Sequence, residues 1–268
     1  MADKDVLDVW QAVEAIRKSS PVVHNITNYV VMNSTANALL ALGASPVMAH
    51  AEEEVAEMVG IASALVINIG TLSKEWIKAM FKAAEAAREK GIPVVLDPVG
   101  AGATTFRTGT ARGLVGAVRP AIIRGNASEI MAVCGDQART RGVDSSEASH
   151  DAVAAAMILH ETWGSAVCVS GETDYIVGGR TLYQVRNGHP MMPRVTGLGC
   201  TATALCGAFA AVTRDRALAA AQAMVVMGIA GEIAADGAEG PGSLQVRFLD
   251  ALYNLTADQI ARRIRLGA

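Results

Sequence analysis

The feature that most limits the fold is the alternation of short apolar runs with longer amphipathic ones. Between the first two apolar runs, Trp76, Met80 and Ala83 recur at helical spacing, with Ser73 as a possible N-cap and Gly91 as a possible C-terminal cap. Alternating strands and helices, with strands apolar along their length, predict a three-layer α/β fold: a mostly parallel central sheet with helices on both faces. The predicted strands are residues 64–70, 92–98, 121–126 and 166–171.

The rest of the chain fits one domain. Residues 174–188 resemble two strands around Gly178 and Gly179, which predicts a hairpin inside the α/β frame. After Cys200 the pattern is mostly helical. With no internal repeat or low-complexity linker, 268 residues suffice for one large core, and we expect a single domain over residues 1–268.

Composition and charge argue against several functional classes. The net charge is -3 without a long basic run, so we expect no nucleic-acid partner. The most apolar helical segment, 217–236, is interrupted by Gln222 and Glu232 and predicts a core helix instead of a membrane span. The first twenty residues are too charged for a signal peptide, and the four cysteines form no C-x-x-C pair. These features predict a cytoplasmic protein with reduced thiols.

Polar residues follow the predicted strands, where parallel sheets collect their ligands. They are residues 25–28, Met48, Asp97, residues 124–129, residues 170–172 and the turn 197–200. In that turn, Gly197 and Gly199 leave backbone N–H groups uncovered, and the helix that follows adds its positive end. This predicts a phosphoryl site, although a plain glycine turn with Cys200 as a small buried side chain fits equally well.

The segment "IIRGNASEI" also allows two interpretations. Asn126 and Glu129 match an N-cap and its first helical turn. Alternatively, they organise the water shell of a Mg²⁺ ion, with Arg124 facing phosphates. Asp97 either joins them at the metal, polarises a reacting group, or only starts an Asp-Pro turn. Asn28 is either a helix cap or a ligand contact.

Several segments together resemble the hydroxyethylthiazole kinase family: "HNITNYV", "GASPVMAHAEEE", "NIGTL", "DPVGAGAT", "RGNASEI" and "TGLGCTATA". The resemblance runs from about Pro21 to Gly237. It implies a ribokinase-like fold, a homotrimer with active sites between subunits, and transfer of the ATP γ-phosphate to the hydroxyl of 4-methyl-5-(2-hydroxyethyl)thiazole in thiamine salvage, with Mg²⁺ as cofactor.

The resemblance also implies roles for individual residues. Those matched to the thiazole are Asn28, Met48 and Gly197; those matched to the nucleotide are Arg124 and Ser170; those matched to the metal and phosphates are Asp97 and Glu129; Cys200 is matched to the catalytic residue. The residue patterns described above add Gly199 to the nucleotide site and Asn126 to the metal site. Sugar-kinase relatives have an Asp at the position of Cys200. Since phosphoryl transfer has a loose transition state, a strong base is not essential. The helix N-terminus should lower the pKa of the Cys200 thiol, and a bound triphosphate should raise it again. We therefore expect Cys200 to position the hydroxyl and accept its proton weakly.

Other functions remain open at this stage. A kinase of the same fold that acts on another small alcohol, such as a hydroxymethylpyrimidine, is disfavoured by Asn28, Met48 and Cys200. A thiazole-binding protein without kinase activity is disfavoured by Arg124, Glu129 and the glycine turn. A Rossmann dehydrogenase is weaker still, because "GAGA" at residues 100–103 lacks the full fingerprint.

Overall fold

The computed structural model describes residues 2–135 and 148–267, which form helices around one extended sheet. The strands are β1 (Val22–Ile26), β2 (Ser45–Val47), β3 (Ala64–Asn68), β4 (Val94–Asp97), β5 (Ile122–Asn126), β6 (Ala166–Ser170), β7 (Asp174–Gly178), β8 (Thr181–Val185) and β9 (Leu266–Gly267). The helices are α1 (Ala2–Ser19), α2 (Met32–Leu42), α3 (Val55–Ile61), α4 (Lys74–Lys90), α5 (Thr105–Val118), α6 (Ala127–Cys134), α7 (Ala148–Trp163), α8 (Leu198–Val212), α9 (Arg216–Ala235), α10 (Pro241–Tyr253) and α11 (Ala257–Arg263), with a short 3-10 turn at Met192–Arg194.

The described strands form a nine-stranded sheet in the order β2-β1-β3-β4-β5-β6-β7-β8-β9. The strands from β2 to β6 run parallel, whereas β7, β8 and β9 are antiparallel. Two register pairs matter for the site: Asn68 lies opposite Asp97, and Asn126 lies opposite Ser170. The carboxyl ends of β1, β3, β4, β5 and β6 therefore meet along one edge, as the sequence predicted.

Two hydrophobic cores cover the two faces of the sheet. One contains buried side chains of α1, α2, α8, α9, α10 and α11. The other contains buried side chains of α3, α4, α5, α6 and α7. This arrangement confirms the three-layer α/β fold, because each face of a buried parallel sheet needs a helical layer to exclude water.

Local predictions also agree with the structure. The Ser73 hydroxyl accepts a hydrogen bond from the Trp76 N–H at the start of α4, and Gly91 ends that helix at φ 78°. The hairpin forms between β7 and β8, with Gly179 at φ 60° in its turn. The short strand β9 is the exception to the helical C-terminal region, and it adds to the free edge of β8.

Helix α9 is long and apolar enough to cross a membrane by length and composition alone. However, 83% of its apolar window is buried inside the protein. Its side chains contribute to the core shared with α1 and α8, so it packs as the core helix that the sequence predicted.

Helix α8 lies unusually close to the sheet. A Cβ atom built on Gly207 would stand 2.6 Å from Val66 Cγ2 and 3.1 Å from Val23 Cγ1. Such close approach is possible only because glycine lacks a side chain. The packing fixes the height of α8 above β1 and β3, and therefore the place of its N-terminal turn.

Candidate active site

A set of buried polar side chains connects the ends of β1, β3 and β4 with the first turns of α8. Asn28 Nδ2 donates to Asn68 Oδ1 at 2.9 Å, and Asn68 Nδ2 donates to Asp97 Oδ2 at 2.8 Å. The Thr203 hydroxyl donates to the same Asp97 oxygen at 2.8 Å, and Asn28 Nδ2 also lies 3.5 Å from Cys200 Sγ. We call Asn28, Asn68, Asp97, Thr203 and Cys200 the buried polar network. It brings together three residues that the sequence singled out: Asn28, Asp97 and Cys200.

Asn28 does not cap a helix. Helix α2 begins after Val31 without a side-chain cap, so the capping alternative for this residue is wrong. Instead, Asn28 Oδ1 accepts the Val30 N–H at 3.1 Å, which fixes the orientation of the amide and directs its Nδ2 atom toward the network. The side chain is therefore held in one orientation beside the Cys200 thiol.

The pKa of the Cys200 thiol shifts in the opposite direction from the one that the sequence predicted. Cys200 lies in the first turn of α8, where the helix N-terminus should lower its pKa. Burial raises the pKa of the Cys200 thiol instead, and the nearby charge of Asp97 raises it further. Desolvation, which disfavours the thiolate, is the largest cause of the rise. The expected lowering is wrong, and Cys200 is a neutral thiol.

Arg124 lies against the glycine turn. A Cβ atom on Gly199 would stand 3.0 Å from Arg124 Nη1, so the side chain passes directly beside the start of α8. Its Nε atom is buried and has no hydrogen-bond partner among the described residues. Burial opposes the charge, but Asp97 and other acidic groups keep the pKa of Arg124 above its ordinary value. A permanent positive charge thus stands beside the positive end of a helix, which is a favourable environment for a phosphoryl group.

The turn itself requires glycine at its first position. Gly197 has φ 84°, and a Cβ atom there would stand 2.6 Å from Val31 Cγ1. A side chain would therefore be strained by the backbone and would collide with the end of the β1–α2 loop. Gly197 places α8 against the segment that carries Asn28.

Asp97 carries the one carboxyl group of the buried polar network. Burial raises its pKa to about 7, although Arg124 and the hydrogen bonds from Thr203 and Asn68 oppose that shift. The charge of Glu129 also contributes to the rise. A pair of carboxylates of this kind is favourable for a cation.

Asn126 and Glu129 form a complete capping box at the start of α6. Asn126 Oδ1 accepts the Glu129 N–H at 2.9 Å, and Glu129 Oε2 accepts the Asn126 N–H at 2.8 Å. Glu129 Oε1 also accepts the Gly100 N–H at 2.8 Å, which ties α6 to the loop after β4. The capping interpretation is confirmed. A role at a metal is still compatible with it, because each carboxylate oxygen has a second lone pair.

Two further predicted residues border this region. Ser170, opposite Asn126 in the sheet, donates its hydroxyl to the Gly125 carbonyl at 3.2 Å. Met48 follows the edge strand β2, and its carbonyl oxygen lies 3.3 Å from His50 Nδ1. The His50 ring packs at a tilt against Trp76 with a centroid distance of 4.6 Å, and Tyr29 packs at a tilt against the same indole at 4.8 Å. Met48 therefore lies beside an aromatic cluster on the Asn28 side of the sheet.

Sequence reasoning missed three residues that organise the site. Asn68 and Thr203 belong to the buried polar network. Arg107 donates from Nη1 to the carbonyls of Ile69 and Val99 and from Nη2 to that of Gly70, so it joins the loops after β3 and β4. Asn68 gave a usable signal, because it is a polar residue directly ending an apolar strand, as Asp97 is. Thr203 gave none, because a threonine inside an alanine-rich helix is unremarkable.

Comparison with known proteins defines first the class and then the family. A ribokinase-like superfamily protein from Enterococcus faecalis superposes with a TM-score of 0.63 at 14% identity, over 86% of each chain, which identifies the fold as ribokinase-like. The solved hydroxyethylthiazole kinase of Pyrococcus horikoshii superposes with a TM-score of 0.90 at 45% identity, over 97% of this chain and 98% of that one.

The sequence comparisons agree with this result. The family model described as "Hydroxyethylthiazole kinase family" matches residues 13–258. The hydroxyethylthiazole kinase of Syntrophus aciditrophicus is 65% identical over 262 residues, which cover 97% of each chain. The chain belongs to the hydroxyethylthiazole kinase family.

Proposed function

We propose that this chain, acting as one ribokinase-like domain, transfers the γ-phosphoryl group of ATP to the hydroxyl of 4-methyl-5-(2-hydroxyethyl)thiazole, a step of thiamine salvage. Family membership gives the substrate class. The structural observation that carries the assignment is the position of Arg124 against Gly199, at the N-terminus of α8. A fixed cation and a helix N-terminus at one point supply the charge neutralisation that phosphoryl transfer requires.

The donor set fits Mg²⁺. No group of three or more His, Cys, Asp and Glu residues within residues 2–135 and 148–267 forms a complete metal cage. Mg²⁺ does not need one, because it keeps several waters and uses one or two carboxylates together with substrate phosphates. Asp97 and Glu129, whose charges repel each other, would hold the ion with Asn126. When bound, Mg²⁺ neutralises charge on the phosphates.

Different residues of the chain then bind the two substrates. Arg124, Ser170 and the Gly199 N–H hold the triphosphate side, where the positive end of α8 stabilises negative charge. Asn28, Met48 and Gly197 hold the thiazole side, with Asn28 orienting the hydroxyl. The flexible thioether of Met48 suits a flat heteroaromatic ring. Transfer in line between these two sides needs positioning more than it needs a strong base.

The hydroxyl proton leaves near Cys200. The thiol lies beside Asn28 Nδ2 and is neutral, since burial raises its pKa. A neutral thiol has no free site for a further proton, so Cys200 orients the hydroxyl, and the hydroxyl proton passes to an oxygen of the transferred phosphoryl group as the new P–O bond forms and the P–O bond to ADP breaks. This matches the loose character of the transition state, in which little charge develops on the nucleophile.

The same proposal includes the assembly and the compartment. Large apolar side chains are exposed around the site, with Tyr29 66%, Val30 67% and Phe106 52% accessible. Subunits of a homotrimer, meeting at the active sites, would cover them. Cys168, Cys200 and Cys206 are free thiols, which supports a reducing compartment, the cytoplasm. Sedimentation equilibrium tests the trimer directly, because a monomer would contradict it.

The reaction itself has a direct test. ATP consumption by the purified protein should be stimulated by the thiazole alcohol and by neither a sugar nor a hydroxymethylpyrimidine. Stimulation by the pyrimidine alcohol would reassign the acceptor. Binding of the thiazole without any ATP consumption would show a binding protein.

The metal assignment is tested by Glu129→Gln. We expect most of the rate to be lost and the Mg²⁺ requirement to shift to higher concentration, while thiazole binding, measured by calorimetry, survives. The matched control is Gln259→Ala, which removes the equivalent capping-box side chain from α11, where Gln259 Oε1 accepts the Thr256 N–H at 3.0 Å. Both variants should lose some stability. An unchanged Mg²⁺ dependence in Glu129→Gln would leave Glu129 as a cap only.

A further inference from the structure

We propose that Asn68 is a positioning residue for phosphoryl transfer, and that Thr203 supports it from the opposite side. Neither residue needs to touch the reacting atoms. Asn68 connects Asn28, on the thiazole side, to Asp97, on the phosphate side, and Thr203 connects Asp97 to the helix that carries Cys200. The inference rests on the roles proposed above for Asn28 and Asp97.

The hydrogen bonds of Asn68 fix its amide in a single orientation. Its Oδ1 accepts the backbone N–H of Gly70 at 2.9 Å, so this end of the amide must be the oxygen. The same oxygen accepts from Asn28 Nδ2, while its Nδ2 donates to Asp97 Oδ2. Reversing the amide would place two acceptors together at Asp97 and two donors together at Gly70. Asn68 is thus a directional link between the two substrate sides.

Thr203 closes the buried polar network into a ring of contacts, which we call the circuit. Its hydroxyl donates to Asp97 Oδ2, the oxygen that also accepts from Asn68. Thr203 and Cys200 both lie on α8, and Asn28 Nδ2 returns to Cys200 Sγ at 3.5 Å. The circuit therefore runs through β3, β4 and α8 and back to the end of β1. Displacing one residue of the circuit on the thiazole side therefore also shifts residues on the phosphate side, and the reverse holds as well.

Burial makes this circuit rigid. Asn68 and Asp97 are each 1% exposed, Thr203 is 0% and Asn28 is 5% exposed. Water cannot replace a lost partner easily at such positions, and a buried network that is fully paired holds one geometry. A core without function would be as stable with apolar side chains here. The polar circuit at the sheet edge is explained by the need to set distances between Asn28, Asp97 and Cys200.

The principal test is Asn68→Asp, which keeps the size of the side chain but replaces the donor facing Asp97 with an acceptor. We expect kcat to fall by roughly 10–100-fold, since a misplacement of about 1 Å can lower a rate by 10²-fold. The KM for the thiazole alcohol should rise more than the KM for ATP, because Asn68 bonds directly to Asn28, whereas Arg124 is not a member of the circuit. Equal changes in both KM values, or a lower melting temperature with normal kinetics, would reject the positioning role.

A second pair of variants does not depend on the folding of Asn68→Asp. Thr203→Ser keeps the hydroxyl and should retain kcat, whereas Thr203→Val removes the donor to Asp97 and should lose about tenfold or more, the equivalent of one lost buried hydrogen bond. The matched control is Thr35→Val, since the Thr35 hydroxyl is buried without a hydrogen-bond partner among the described residues. It should leave kcat unchanged. Equal activity of Thr203→Val and Thr203→Ser would contradict the proposal.

Asn28→Ala separates the failure of this inference from failure of the site assignment. Normal kinetics in Asn28→Ala would remove Asn28 from the thiazole site, and the proposed site would fail first. An impaired Asn28→Ala together with a normal Asn68→Asp would reject Asn68 alone. The supporting result is non-additivity: the double variant Asn28→Ala/Asn68→Asp should be no more than about threefold worse than the more impaired single variant, because residues that act as a unit do not add.

Discussion

At the scale of single residues, the chemistry of Cys200 is decided by burial. The sequence indicates a thiol at a helix N-terminus, a position that favours thiolate. In the folded chain, desolvation and the neighbouring charge of Asp97 both raise the pKa of this thiol. What remains for Cys200 is its geometry: a neutral sulfur of defined size beside the Asn28 amide.

Substitution of Cys200 tests this view. Cys200→Ser keeps an acceptor for Asn28 and should remain measurably active, with a loss at or below the low end of the ~10²–10⁴-fold that assisted proton transfer contributes. Cys200→Ala, which has no acceptor, should lose more. Single-turnover assays with labelled ATP, followed by mass spectrometry of the protein, supply the check. A phosphorylated cysteine in the wild type would make Cys200 a nucleophile and overturn the positioning role.

At the scale of elements, the hairpin β7–β8 begins with a buried carboxyl group. Asp174 is 6% exposed, and its Oδ1 accepts the Gly171 N–H at 3.0 Å. Burial raises the pKa of Asp174 to about 6, while that hydrogen bond and the charge of Arg124 oppose the rise. An acid whose pKa is higher in the folded chain than in the unfolded chain binds its proton more tightly when folded. Stability contributed by the protonated form is therefore lost as the pH rises through about 6.

Asp174→Asn should remove this pH dependence. An amide oxygen can still accept the Gly171 N–H, and no charge is buried. Relative to wild type, the free energy of unfolding of the variant should rise progressively between about pH 4 and pH 6 and then level off, by an amount on the order of 1–3 kcal/mol. Thermal unfolding followed by circular dichroism at a series of pH values measures it. A constant difference across the series would mean that Asp174 titrates normally.

At the scale of the whole molecule, the site exists because a helix from the C-terminal half packs closely on strands from the N-terminal half. The contact of Gly207 with Val66 and Val23 sets this distance. The hydrogen bond from Thr203 to Asp97, which spans 106 residues of sequence, depends on the same packing. Stability and site geometry are thus coupled through one glycine.

Gly207→Ala should expose that coupling. Forcing a methyl group against buried Val66 is expected to destabilise the fold by about 1–3 kcal/mol and to lower kcat, since α8 must move away from the sheet. The matched control, Gly109→Ala in α5, faces open space, and it should stabilise the protein by roughly 0.5–1 kcal/mol through helix propensity. Urea unfolding and steady-state kinetics of both variants give the comparison. A Gly207→Ala protein as stable as wild type would show that the helix can shift at no cost.

Much of this molecule was determined by local sequence. The apolar runs predicted β3 to β6, Ser73 and Gly91 marked the ends of α4, and the Gly178–Gly179 hairpin formed as expected, because periodicity, capping and turn chemistry act over a few residues. The identities of Asp97, Arg124 and the glycine turn followed from strand ends in the same way, although their catalytic roles stay predictions.

The tertiary structure alone decided how these residues act. Asn68 meets Asn28 across 40 residues of sequence and Asp97 across 29, through strand register that no local pattern reveals. The pKa of Cys200 and that of Asp97 are set by burial, which depends on how α8 covers the sheet. Local sequence fixes where polar groups occur along the chain, whereas their distances and desolvation arise only when distant elements pack, because both are properties of the assembled core.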